Sequence, residues 1–160
     1  MQGPGPVPQL SLHTPVGDLS VSEEGGAIVA VDWGWGRDQS ETPLLRAARE
    51  QLQAYFDGEL TTFELPLRPA GTLYCRRVWE ALCAIPYGAT RSYAELAKGA
   101  GGSARSIGQA NGRNPIPIII PCHRVVAAGN LGGYSGGEGL VTKRFLLALE
   151  ARASSSGRLL

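Results

Sequence analysis

Cys122 and His123 are chain neighbours, with Arg124 directly behind them, inside the stretch "NPIPIIIPCHRVV" at residues 114–126. A thiol is a strong nucleophile only as its anion, and a free cysteine, with a pKa near ~8.5, is mostly protonated at neutral pH. An adjacent imidazole and guanidinium are the groups that would hold the sulfur anionic. Neighbouring side chains of a regular strand point to opposite faces. Pro121 argues that the strand made by the apolar run stops there, so that a turn lets both side chains serve one pocket. A histidine acting as a base also wants a buried acid to orient it, and the late segment "TKRFLLALE" supplies Glu150. The plainer alternative is a core cysteine closing a buried strand. The flanks favour chemistry: Asn114-Pro115 on one side and Tyr134-Ser135-Gly136-Gly137 on the other are rigid or glycine-rich, which permits close approach of backbone to a ligand.

The chain that must position this pair has 160 residues, of which 43% are apolar and 18% charged. That reads as a soluble globular protein of one domain or two small lobes. No apolar run approaches the span of a bilayer, so no membrane partner is expected. The start, "MQGPGPVPQ", lacks the basic and hydrophobic regions of a secretory signal. It reads as a flexible leader over residues 1–9, and residues 153–160 read as a tail. Three cysteines and two histidines offer neither a disulfide framework nor four ligands for a structural zinc. No metal or cofactor is expected, and reduced thiols fit a cytoplasmic protein, or a nuclear one in a eukaryote. Residues 1–70 hold ten acids and four bases, a net of −6, whereas residues 71–160 hold four acids and eleven bases, a net of +7. That asymmetry marks two lobes, the second suited to a polyanion.

The first lobe, residues 10–70, reads as an α+β scaffold. "LSLHTPVGDLSVSEEGGAIVAVDWG" alternates around Gly17-Asp18 and Gly25-Gly26 as an antiparallel meander. "TPLLRAAREQLQAYFDG" is an amphipathic helix with Thr42 as N-cap, Pro43 at the first helical position and Gly58 as the stop. "ELTTFELPL" is expected to return as one more strand. The second lobe, residues 71–152, is mostly helical. "TLYCRRVWEALCAI" places Leu73, Val78, Leu82 and Ile85 on one face with Trp79 beside it, and its Cys75 and Cys83 read as small core residues. "SYAELAKGAGG" opens with a capping box of Ser92 and Glu95. After a glycine turn, Ser103 caps "ARSIGQANGR", giving a helix-turn-helix.

"PCHRVV", preceded by "GRNPIP" and followed by "GGYSGG", resembles the O6-alkylguanine-DNA alkyltransferases, also called methylated-DNA–protein-cysteine methyltransferases. "IPYGATRSYAELA", "TPVGDLSVS" and "QLQAYFDGEL" extend the likeness over residues 10–150. The resemblance implies an α+β fold, with a small N-terminal antiparallel sheet and helix and a helical C-terminal lobe. That lobe would carry the helix-turn-helix and the active-site cysteine. It implies a single-turnover enzyme that moves an alkyl group from O6-alkylguanine in double-stranded DNA, and by extension O4-alkylthymine, onto Cys122. His123 would be the base, acting through a water, and Glu150 would orient it. Asn114 would sit at the hinge before the active-site strand, and Tyr93 would hydrogen-bond the guanine and protonate the leaving base. Arg105 would fill the gap left by the flipped nucleotide. Tyr134, Ser135 and Gly136 would line the pocket, with Lys143 at its edge. Ser103, Arg113 and Arg124 would face DNA, and Arg91 and Lys98 would meet phosphates. The protein would act as a monomer. Relatives without activity carry tryptophan at the cysteine position, whereas here it is Cys122. The rival readings are a non-catalytic module that binds alkylated DNA, and a hydrolase that turns over repeatedly on Cys122 and His123.

Overall fold

The computed structural model describes residues 7–155. Three antiparallel strands, β1 (Gln9–Thr14), β2 (Gly17–Glu24) and β3 (Ala27–Trp33), form a meander in chain order. Period-2 alternation puts Leu10 and Leu12 of β1 and Leu19 and Val21 of β2 in the core, and in β3, whose pairing with β2 shifts register at Ser22/Glu23, Ile28 and Val31 are buried as well. Helix α1 (Pro43–Phe56) covers that face with Leu45, Ala48, Leu52 and Tyr55, and Thr42 accepts a hydrogen bond from the Leu45 N–H at its start. Gln9 already belongs to β1, so the leader suggested for residues 1–9 is too long by that residue, while residues 1–6 lie outside the described residues. "ELTTFELPL" forms no strand. Only Leu67 bridges to Ile28, through Ile28 N–H to Pro66 O and Arg68 N–H to Ile28 O, because Pro66 interrupts the donors a longer ladder needs.

The second lobe is built from α2 (Leu73–Cys83), α3 (Tyr93–Ala100), α4 (Ala104–Gly112) and α5 (Leu140–Ser155). The buried face of α2 is Cys75, Val78, Trp79 and Leu82. Leu73, expected on that face, is 79% exposed at the first turn, and Cys83 is exposed while Cys75 is buried. Both capping boxes of the helix-turn-helix form, Ser92 with Glu95 and Ser103 with Ser106. The turn between these helices needs glycine. Gly102 has φ +81°, and a Cβ there would lie 2.4 Å from the Tyr74 hydroxyl, which itself donates to Gly101 O. Trp79 Nε1–H donates to Ala110 O at 2.9 Å and locks α4 to α2. Helix α5 continues to Ser155, past the start of the suggested tail, with Ala153 buried; residues 156–160 lie outside the described residues.

The apolar run before the thiol is not a strand. Pro115, Pro117 and Pro121 carry no N–H, so no ladder can form. The segment folds instead as a buried turn, closed by Ile120 N–H to Ile116 O at 2.9 Å, with Ile118 at φ +73°. Cys122–Arg124 then make one turn of 3₁₀ helix, and β4 (Arg91–Ser92) pairs parallel with β5 (Val125–Val126) directly after it. Val31 N–H donates to Pro115 O at 2.9 Å, which stitches the sheet of the first lobe to this segment. One hydrophobic core runs through both lobes. Among the described residues, no helix is long and apolar enough to cross a membrane.

Candidate active site

Cys122 lines a cleft of about 500 Å³ where the two lobes meet. Its walls come from four places: β3 gives Asp32 and Trp33, α3 gives Tyr93, α4 gives Gly108 and Asn111, and the loop before α5 gives Tyr134, Ser135 and Gly136. Asn114 lines the same space. Its amide reaches back into the turn, accepting from Ile116 N–H at 2.9 Å and donating to Ile120 O at 2.8 Å. Asn111 donates to Cys122 O at 3.2 Å. The backbone that carries the sulfur is thus held from both sides.

Cys122 is 6% exposed. Burial pushes its pKa up; the Asn114 amide, its own backbone N–H, Lys143 and the Tyr134 hydroxyl work in the other direction without cancelling that rise. The sulfur is therefore a protonated thiol at rest, which corrects the expectation of a standing anion. Burial by itself disfavours charge, and the guanidinium expected to compensate is directed elsewhere.

That guanidinium and the histidine converge on one carboxylate behind the cleft. Glu150 Oε2 accepts from His123 Nε2–H at 2.6 Å, from the Tyr55 hydroxyl at 2.6 Å and from Arg124 at 3.1 Å. Glu150 Oε1 accepts from Arg124 Nε–H at 2.8 Å and, weakly, from Gly88 N–H at 3.4 Å. Burial works to raise the Glu150 carboxyl. The hydrogen bonds and charges of His123 and Arg124 more than offset it and hold it at about 2. An ionised carboxylate can only accept, so the proton between the two groups belongs to His123 Nε2. His123 is 0% exposed, and burial keeps its pKa below the ordinary value. Its second nitrogen, Nδ1, is buried and has no hydrogen-bond partner among the described residues. A neutral imidazole with a free lone pair, oriented by an acid, can serve as a general base.

Two expected site residues stand elsewhere. Arg124 does not face DNA: it is buried, bound to Glu150 and Ile85 O, with Tyr87 beneath its guanidinium at 5.6 Å. Lys143 is not at the pocket edge. It is fully buried and donates to the carbonyls of Val125, Leu131 and Gly133. Burial lowers its pKa to about 8, while the neighbouring Cys122 works to raise it. Three carbonyl acceptors match the three protons of an ammonium. Its role is to tie down the cleft loop. Ser103, Arg105 and Arg113 are exposed at the two ends of α4, outside the cleft itself. Arg91 is half-buried and Lys98 exposed.

The first lobe, which the sequence pattern marks only as scaffold, contributes to the site. Asp32 and Trp33 form a cleft wall, and a Cβ on Gly136 would lie 2.8 Å from the Trp33 indole nitrogen, so loop and indole are in close contact. Tyr55 sits on the apolar stripe of α1. A tyrosine at such a position needs a partner for its hydroxyl, and that was the signal the sequence held. On α4, Gly108, Asn111 and Gly112 share a face of small residues at i, i+3, i+4 spacing.

A two-lobed α+β protein with one thiol in the interlobe cleft and a histidine–glutamate pair behind it is the class these observations define. Residues 10–69 match 6-O-methylguanine DNA methyltransferase, ribonuclease-like domain, and residues 74–152 match 6-O-methylguanine DNA methyltransferase, DNA binding domain. The methylated-DNA–protein-cysteine methyltransferase of Mycobacterium tuberculosis (strain H37Rv) is 58% identical over 153 residues, 88% of this chain and 90% of that protein. The constitutive enzyme of the same name from Bacillus subtilis (strain 168) is 44% identical over 152 residues, 86% and 92% of the two chains. The crystal structure of Mycobacterium tuberculosis OGT in complex with DNA superposes with a TM-score of 0.82 at 43% identity, covering 92% of this chain and 94% of that one. This chain belongs to the 6-O-methylguanine DNA methyltransferase family.

Proposed function

We propose that this protein repairs duplex DNA by moving the alkyl group of an O6-alkylguanine onto Cys122, once per molecule. The observation that carries the reading is a single thiol facing a cleft of about 500 Å³, walled partly by α4, with a neutral histidine and its glutamate behind it. DNA is the partner, met through the basic second lobe, net +7 over residues 71–160. The exposed arginines of α4, Arg105 and Arg113, meet the duplex, and Arg105 occupies the gap left when the damaged nucleotide swings into the cleft. The cleft falls in the usual range of small-molecule sites, roughly 300–1,000 Å³.

The thiol proton leaves Cys122 toward His123 Nδ1 through a water. The sulfur attacks the alkyl carbon; the C–S bond forms as the C–O bond breaks. Tyr93, in the cleft wall, donates a hydrogen bond that stabilises the leaving guanine. Asn114 and Tyr134 flank the sulfur and favour its anion as it forms. The product is a thioether. The other free cysteines are Cys75, buried in α2, and Cys83, at its end; neither lines the cleft to reverse the step. The protein acts as a monomer on DNA, in the cytoplasm or the nucleus.

Intact-mass spectrometry after mixing with a duplex containing O6-methylguanine tests this. The expected result is a gain of one methyl group, mapped to Cys122 and absent in Cys122→Ser. Repeated turnover without protein modification would identify a hydrolase instead. Binding to the lesion with no mass change would identify a non-catalytic reader.

A further inference from the structure

We propose that Tyr55 of the first lobe is a positioning residue of the alkyl-transfer site, acting through Glu150 to set the basicity of His123. The inference deepens the proposed function and rests on it. The Tyr55 hydroxyl donates to Glu150 Oε2 at 2.6 Å, across 95 residues of chain and across the lobe boundary. The same oxygen accepts from His123 Nε2–H at 2.6 Å. Both side chains are buried, Tyr55 fully. Tyr55 is fixed by its own surroundings, edge-on to Phe56 and Tyr87 and tilted against Phe63.

The physics is competition for one oxygen. Each donor on a carboxylate draws off part of its charge and weakens what the other donors feel. With Tyr55 in place, Glu150 orients His123 but pulls less strongly on the imidazolium form, so Nδ1 stays neutral to lower pH. Loss of the Tyr55 hydroxyl would leave a more basic carboxylate and a more easily protonated His123. The other charged and titratable groups around His123 are Glu150 and Lys143 of α5, and Cys122 and Arg124 of its own turn. Tyr87, between α2 and β4, lies under Arg124 and against Tyr55. Of these, only Glu150 loses a hydrogen bond in a variant that removes only the phenolic oxygen.

The first lobe is therefore part of the chemistry. Its helix α1 reaches the back of the proton-transfer pair as its strand β3 reaches the front of the cleft.

The experiment compares wild type with Tyr55→Phe by NMR titration of imidazole nitrogens. The chain has only His13 and His123, and His13 lies exposed on β1 beside Asp18, so it serves as the internal reference. The expected result is a rise of about 0.5–1 pH unit in the His123 pKa, with His13 unchanged. Single-turnover methyl transfer shifts its acid limb upward by the same amount. 3-Fluorotyrosine placed at position 55, a stronger donor, moves both in the opposite direction and keeps the ring. An unmoved His123 titration in both variants overturns the proposal. So does a uniform loss of rate at every pH with no shift, which is the signature of a purely structural tyrosine. Should wild type itself fail to take up methyl, the proposed function falls, and the titration still decides whether Tyr55 governs His123.

Discussion

A buried thiol must be ionised at the moment of attack, and the residues around Cys122 set the cost. Burial raises its pKa, and Asn114 stands first among the groups that resist. Removing that amide should raise the thiol further and slow transfer. A hydrogen bond to a charged group contributes about 1.5–3 kcal/mol, so Asn114→Ala is expected to lower the single-turnover rate by roughly 10- to 100-fold. The rate of wild type should climb with pH through a limb above the ordinary cysteine range, because only the deprotonated form attacks, and Asn114→Ala should move that limb higher still. A rate–pH curve that superposes on wild type would remove Asn114 from the chemistry. At this scale adjacency set Cys122 beside His123, and the structure brings Asn114, before the prolines, to the cleft that Cys122 lines. The sequence did not reveal the direction in which Arg124 points. A 3₁₀ turn sends successive side chains about a third of a turn apart, so the guanidinium goes to Glu150 and Ile85 O rather than to the sulfur.

Elements written by local rules were legible in the amino-acid order alone. The Ser92–Glu95 box, the Thr42-Pro43 start and the antiparallel meander of β1 to β3 depend on neighbours within a few residues, and they formed as the pattern implied. The segment 114–121 defeated that logic because hydrophobicity and hydrogen-bonding capacity disagree there. The isoleucines say strand, the three prolines deny the donors, and the chain resolves the conflict with a buried turn that holds Ile118 at positive φ. A β-branched residue there costs about 1–3 kcal/mol, so the surroundings must enforce it. The cleft loop presents the same problem: residues 127–139 have little regular structure and hang on Lys143, whose ammonium gathers three carbonyls. The lysine's depth came from the packing of α5 and was invisible in its own neighbourhood. Lys143→Met keeps most of the volume and strands those carbonyls. It should destabilise the protein by about 2–4 kcal/mol. It should also speed amide hydrogen exchange at residues 131–135 more than in α1. Equal protection across the loop would show that the glycine turns alone hold it.

The charge segregation of the chain marked two lobes, but not that they share one core and one carboxylate. Tyr55 of α1, His123 and Arg124 of the turn and Gly88 of the α2–β4 connection all end on Glu150 of α5. That convergence makes the fold acid-sensitive in two stages, and the signs can be worked out. His123 is buried neutral with its pKa depressed, so as pH falls through about 6.5 the unfolded chain takes a proton that the folded chain refuses, and stability declines. Glu150 has its folded pKa held at about 2, against roughly 4.3 unfolded, so its contribution is complete above the unfolded value and drains away as pH falls toward 2. The shift corresponds to about 3 kcal/mol for this buried group. Denaturant unfolding followed from about pH 8 down to about pH 3 should therefore show stability falling first below neutrality and again below about pH 4.5. Glu150→Gln should be less stable at neutral pH by about 3–5 kcal/mol, since Arg124 loses its buried partner, and should lack the second decline. His123→Gln should lack the first and shrink the second, because His123 supplies part of what holds the Glu150 carboxyl down and Arg124 supplies the rest. A wild-type stability that stays flat between about pH 7 and about pH 4 would mean that solvent reaches this cluster, and that the two lobes are not locked through it.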